Sequence, residues 1–324
     1  MDGARPSQGR VSMEGLRGMP RLQANATRAT RGRTAQRPCR GKSGFRPAGR
    51  CPSEVELLLA EQVDPLAISA TKDGSGRHNA SMTQGIRLVG FDADDTLWRS
   101  QDYFDEAQLE FERIVGRYVD LADGRVAEAL YAVETANIAV FGYGVKGMAL
   151  SMIESATQIT GGRIAAADLH RIVEMAKAML RHPVELLPGI RDAVAAVAER
   201  FDVVLITKGD LFHQEAKVRD SGLSDLFGRI EIVSEKDAAT YARVLGEFDV
   251  DAQAFLMVGN SLRSDIAPVL ALGGWGVYMP YRTTWMHETQ ADIVEGSERM
   301  REVATPDRLP EAVVELAAQA IASR

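Results

Sequence analysis

In the stretch RLVGFDADDTLW, residues 87–98, an apolar run ends in three carboxylates within four residues: Asp92, Asp94 and Asp95. Side chains on an extended segment alternate from face to face, so Asp92 and Asp94 are expected to point to one side. Two like charges that close raise each other's pKa unless a cation neutralises them. A hard divalent ion with oxygen ligands does so, and Mg2+ suits such a site. With the charge compensated, one carboxylate can attack as a nucleophile while the other handles protons. The competing reading is a pair of solvated turn aspartates near a helix N-terminus.

Three further apolar runs end in polar clusters: TKGD at 207–210, SEKD at 234–237 and GNSLRSD at 259–265. In parallel sheets, ligands bind at the carboxyl ends of the strands, so this convergence outweighs the solvated-turn reading. It brings three aspartates, a Thr and a Lys together at the strand ends.

The elements that must position these residues alternate. IRLVGFD, FDVVLITKGD, RIEIVSE, AFLMVGN, WGVYMP and REVATP read as strands, with helices near 211–221, 236–248, 264–274 and 309–322. Such alternation predicts an α/β fold, a parallel sheet with helices on both faces. Residues 99–184 break the pattern. Phe104, Ala107, Phe111, Ile114 and Tyr118 recur at spacings of three and four, and helical patterns follow at 123–137, 146–159 and 166–181. This predicts an all-helical insertion after the first strand, interrupted by a loop at FGYGVKG.

Composition excludes several classes. No apolar run approaches the roughly 20 residues of a membrane span, and no basic start leads into an apolar signal core, so a cytoplasmic protein is expected. The five histidines, His78, His170, His182, His213 and His287, form no paired metal motif. Both cysteines, Cys39 and Cys51, lie in the first 81 residues, which leaves no disulfide framework beyond them. Residues 1–81 are rich in Arg, Gly, Pro and Ser and carry a balance of +7 within a chain of net charge -7. They are expected to be a disordered basic extension, read first as an over-extended gene start with initiation at Met82 and second as a transit peptide. Nucleic-acid binding is disfavoured because the charges are scattered and aromatics almost absent.

The chain resembles the haloacid dehalogenase-like (HAD) hydrolase superfamily. GFDADDTLW matches its first motif with Asp92, Asp94 and Thr96; VVLITKG offers Thr207 for the second; SEKD offers Lys236 for the third; VGNSLRSD approximates the fourth. The resemblance covers residues 86–324 and implies a Rossmann-like core at 82–98 and 185–324, with 99–184 as a helical C1 cap. It implies that Asp92 attacks phosphorus and that Asp94 protonates the leaving oxygen, then activates water. Thr207 and backbone N–H groups, including that of Lys208, would hold the phosphoryl oxygens, while Lys236 neutralises charge. Mg2+ would be held by Asp92, the backbone oxygen of Asp94, and Asp265 directly or through water, with Asn260 a weak or orienting ligand.

The implied activity is Mg2+-dependent hydrolysis of a small phosphorylated metabolite through an aspartyl-phosphate. A sugar phosphomutase and a non-catalytic phosphate-binding protein are the alternatives, the latter resting on Asn260 where the family usually has Asp. Dehalogenases of this fold lack the second aspartate, so Asp94 argues for phosphate. Asp95 stands where Gly is commoner; its side chain is expected to bond the turn's own backbone. Phe141, Tyr143 and Lys146, together with Arg282, Trp285 and His287, are candidates to contact the leaving group or line the entrance. For both segments packing is an equally good explanation. Oligomeric state is not legible.

Overall fold

A computed structural model describes residues 85–121, 125–289 and 297–323. The expectations for residues 1–81 lie outside them. The first strand, β1 (Leu88–Phe91), is buried along its whole length, as the unbroken apolar run LVGF requires. It pairs in parallel with β2 (Asp202–Lys208) on one side and β4 (Phe255–Gly259) on the other. With β3 (Arg229–Val233), β5 (Trp275–Tyr278) and β6 (Met300–Glu302) they make a six-stranded parallel sheet in the order β3-β2-β1-β4-β5-β6. The chain winds outward from β1 through β2 to β3, then restarts at β4 on the opposite side. That reversal leaves a crevice at the carboxyl ends of β1 and β4.

The period of two decides which helices cover which face. Val89 and Phe91 join Val203, Leu205 and Val258 in a cluster with α5 (Ile190–Ala198) and α10 (Leu309–Ala322). Leu88 points the other way with Val204, Phe255 and Met257, against Tyr241 and Val244 of α7 (Ala238–Glu247). Helices therefore lie on both faces, as expected. The helix α5 has an apolar stripe at Ile190, Val194 and Val197 that the sequence reading passed over.

Between β1 and α5 run four helices: α1 (Gln101–Val115), α2 (Arg125–Phe141), α3 (Val145–Ile159) and α4 (Ala166–Leu180). They bury an apolar cluster of their own, including Phe111, Ile114, Leu130, Met152 and Ile172. The helix after β2 is α6 (Leu211–Ser221), capped by Asp210, whose side chain accepts from His213 N.

The helix expected over 264–274 differs in form. Residues Leu262–Ile266 make a π-helical turn, and only Ala267–Ala271 is α-helical (α8). Pro268 explains the break, since it has no N–H to give to the carbonyl of Ser264. That carbonyl accepts instead from Tyr241 Oη at 3.0 Å, which keeps a buried acceptor satisfied. A short helix after β5, α9 (Met286–Thr289), was also not anticipated.

Candidate active site

The seven nominated residues all line one cavity of about 210 Å³ at the carboxyl ends of β1, β2 and β4. Asp92 is the first residue after β1, and its N–H donates to Val258 O at 2.9 Å, which fixes it on the strand's end. The chain then turns sharply. Asp95 takes a left-handed conformation (φ 62), one that Asp tolerates better than most residues. Its carboxylate accepts from Ser100 N at 2.8 Å and Gln101 N at 2.9 Å, capping the start of α1. Asp95 thus bonds backbone, as expected, but that of the following helix. Burial pushes its carboxyl up to about 7.

Lys236 is the hub of the buried charges. Its ammonium donates to Asp92 Oδ1 and, at 2.8 Å, to Asp265 Oδ1. Burial alone would lower its pKa, but Asp265 and Asp92 outweigh this and hold it above the ordinary lysine value. Burial pushes Asp92 up to about 7, with Lys236 opposing. The other oxygen of Asp265 accepts from Ser261 N at 2.9 Å. Both its oxygens are therefore engaged in holding Lys236 and the loop after β4. Gly259 makes room: a Cβ there would sit 2.3 Å from Asp265 Cγ.

Asp94 faces the same cavity but is gripped from α6 and from its own turn. Its carboxylate accepts from Trp98 Nε1 at 2.6 Å, Gln214 Nε2 at 3.0 Å and Lys217 Nζ at 2.5 and 2.8 Å. Burial raises its pKa, yet Lys217 and these hydrogen bonds lower it below the usual carboxylate value. Gln214 also donates to Thr207 Oγ1 at 3.3 Å and Lys208 O at 2.8 Å, tying the end of β2 to Asp94.

Asn260 answers whether a metal would fit. Its side-chain oxygen lies 3.1 Å from Asp92 Oδ2 and 3.2 Å from the backbone oxygen of Asp94. Thr96 Oγ1 donates to the same amide oxygen at 3.4 Å and to Asp92 Oδ2 at 3.0 Å. With the oxygen inward, the amide thus lies about 3 Å from each of two other oxygens, a spacing that adjacent oxygen ligands of a hard cation adopt. Rotating the amide by half a turn would instead put its nitrogen there, donating to both partners. The donor set fits a hard cation with the oxygen inward, and a cation-free carboxylate with the nitrogen inward. This trio contains one side-chain carboxylate, one amide and one carbonyl; the described residues hold no group of three or more His, Cys, Asp or Glu placed to bind a metal.

Both entrance segments reach the site, though not each residue in them. Tyr143 lines the cavity, its ring 4.1 Å from Lys208 Nζ, and its hydroxyl donates to Glu235 at 2.8 Å. Trp285 lines the cavity too and meets Tyr143 edge to face at 6.4 Å. Lys146 pairs with Asp210 at 2.9 Å, Arg282 pairs with Asp102 at 2.6 Å, and His287 lies 2.8 Å from Arg263 Nη1. Phe141 is exposed.

The sequence reading missed Gln214, Lys217 and Glu288. Glu288, on α9, accepts from Lys208 Nζ at 2.6 Å, Ser261 Oγ at 2.6 Å and Ser264 Oγ at 2.5 Å. Burial raises its pKa, but Lys208 and the two serines bring it down to about 2. The spacing of Gln214 and Lys217, one helical turn apart just after TKGD, was the available signal.

The haloacid dehalogenase-like hydrolase family profile matches residues 86–273. A haloacid dehalogenase-like family hydrolase from Xanthomonas campestris is 56% identical, with a TM-score of 0.67 over 73% of this chain and 98% of that one. The HAD-hydrolase YfnB from Bacillus subtilis, in its magnesium-bound form, is 16% identical, with a TM-score of 0.50 over 71% and 99% of the two chains. No curated protein matches. The chain belongs to the haloacid dehalogenase-like hydrolases and is an enzyme of that family.

Proposed function

We propose that the protein is a Mg2+-dependent phosphatase that hydrolyses a small phosphate monoester through an aspartyl-phosphate on Asp92. The observation that carries this reading is the meeting of Asp92, Asp94, Thr207, Lys236 and Asn260 on one cavity at the strand ends. A cation there would supply positive charge against the nucleophile and the phosphoryl oxygens. Thr207 and the N–H groups after β2 would cradle those oxygens, and Lys236 keeps Asp92 oriented while balancing its charge. With both oxygens of Asp265 already engaged, we assign it to positioning Lys236 and leave the metal to the trio.

In the first step an Asp92 oxygen bonds to phosphorus, the bond from phosphorus to the leaving oxygen breaks, and that oxygen takes a proton from Asp94. In the second, Asp94 takes a proton from water, water oxygen bonds to phosphorus, and the Asp92 carboxylate is released with inorganic phosphate. Lys217 beside Asp94 favours its carboxylate, the form needed for the second step. For the first it must leave Lys217 and carry a proton. The four-helix segment would act as the cap, since its residues line the cavity opposite the strand ends.

That grip on Asp94 favours a second reading. An Asp94 fixed as a carboxylate donates no proton, which suits a leaving group that needs none, such as a halide on carbon. Screening phosphorylated metabolites for phosphate release, with Mg2+ and with a chelator, tests the first reading. Mg2+-dependent release supports it; halide release from 2-haloacids without phosphate release from any monoester contradicts it.

A further inference from the structure

The cavity is lined by seven carboxylates among the described residues, and six of them have partners. Asp92 and Asp265 share Lys236, Asp94 has Lys217, Asp210 has Lys146, Glu288 has Lys208, and Asp95 takes two backbone N–H groups. The seventh, Glu134 of α2, has no hydrogen-bond or ion-pair partner among the described residues. Burial alone pushes it up to about 7. The side chain is partly exposed and opens on the cavity wall, where a cationic group could pair with it.

Its surroundings define the chemistry. Phe104, Ile138, Met148 and Trp285 line the same cavity, along with the neutral polar Gln108 and Asn137. Tyr131, one turn before Glu134 on α2, meets Trp285 edge to face at 6.3 Å. The cavity's three lysines, Lys208, Lys217 and Lys236, are each engaged by a carboxylate elsewhere. None of them pairs with Glu134. A negative group and an aromatic ring in one cavity suit a cation, which gains from both.

We infer that Glu134 forms a subsite for a protonated amine on the leaving group, so that the preferred substrates are amine-bearing phosphate monoesters. This rests on the phosphatase reading for the phosphate end of the ligand.

Equilibrium binding separates the two claims, because it needs no turnover. The probes are 2-aminoethyl phosphate and propyl phosphate, nearly equal in size and differing in charge, each titrated calorimetrically into the full chain carrying Asp92→Asn with Mg2+ present. The amine is expected to bind about tenfold tighter, the worth of one charge-assisted hydrogen bond. Adding Glu134→Gln, an isosteric change, should bring the two affinities together; unchanged thermal melting shows that the double variant folds. Glu134→Lys should reverse the order. Equal affinities in the Asp92→Asn protein, no binding of either probe, or a preference that survives Glu134→Gln would overturn the inference. Failure of the phosphatase reading shows separately, as wild-type protein that binds these probes but releases phosphate from neither.

Discussion

The two walls of the cavity are built on opposite terms. At the strand ends, each carboxylate and each lysine on the cavity is met by a charged or hydrogen-bonding partner, so Asp92, Lys236 and Asp265 are pinned before any ligand arrives. Across from them the helical wall mixes apolar residues with neutral polar ones such as Gln108 and Asn137, and offers Glu134 without a partner. A satisfied polar network is rigid and presents one geometry, which suits a reaction centre. A carboxylate without a protein partner on the facing wall is free to meet one on a ligand, which suits discrimination between leaving groups. Predictions follow from weakening each side in turn.

The largest effect is expected at the nucleophile. Asp92→Asn keeps the shape and removes the nucleophilic charge, so phosphate release should fall about a thousand-fold or more with the melting curve little changed. Residual turnover near wild type would move the nucleophile elsewhere. Lys236→Met should both abolish turnover and destabilise the fold by about 3–5 kcal/mol, because it strands two buried carboxylates. Chemical denaturation measures this; a loss below about 1 kcal/mol would mean that Asp92 and Asp265 find other partners or take up protons at little cost.

A smaller effect is expected at Asn260. Asn260→Asp adds one negative charge to the oxygen trio and should lower the half-saturating Mg2+ concentration about tenfold. An unchanged value would place Asn260 outside the coordination sphere.

The strand-end wall was legible in sequence because strands write their geometry plainly. A short apolar run followed by Asp-x-Asp fixes both position and direction, and the same held for Thr207 in TKGD and Lys236 in SEKD. The oxygen trio was legible only as a set of residues; that Asp265 turns to Lys236 instead depends on the backbone of Ser261. The grip of Gln214 and Lys217 on Asp94 was hidden, since a helix after a strand does not announce which side it packs. Glu134 was hidden for a related reason. The sequence RVAEALYAVETANIAVF is apolar nearly all round, so no face stands out.

The smallest effect concerns Glu288, which holds α9 to the strand ends through Lys208. Its folded pKa of about 2 lies below the ordinary 4.5, so it stabilises the fold above pH 4.5 and loses that contribution as pH falls towards 2. Glu288→Gln should lower the melting temperature by about 2–4 °C at neutral pH, with the gap closing over that window. A gap that persists at pH 2 would mean that the charge of Glu288 is not what holds α9.

The central claim is that the reaction takes place at phosphorus and not at carbon, and labelled water tests it most directly. A single turnover in 18O water, with any monoester the screen finds, is followed by mass spectrometry of the phosphate and of the peptide bearing Asp92. Attack of water on phosphorus puts one 18O in the released phosphate and none in Asp92, which is the predicted result. Label in the Asp92 carboxylate would show that water attacks an ester of that residue at its carboxyl carbon, as after displacement at carbon, and would contradict the phosphatase account.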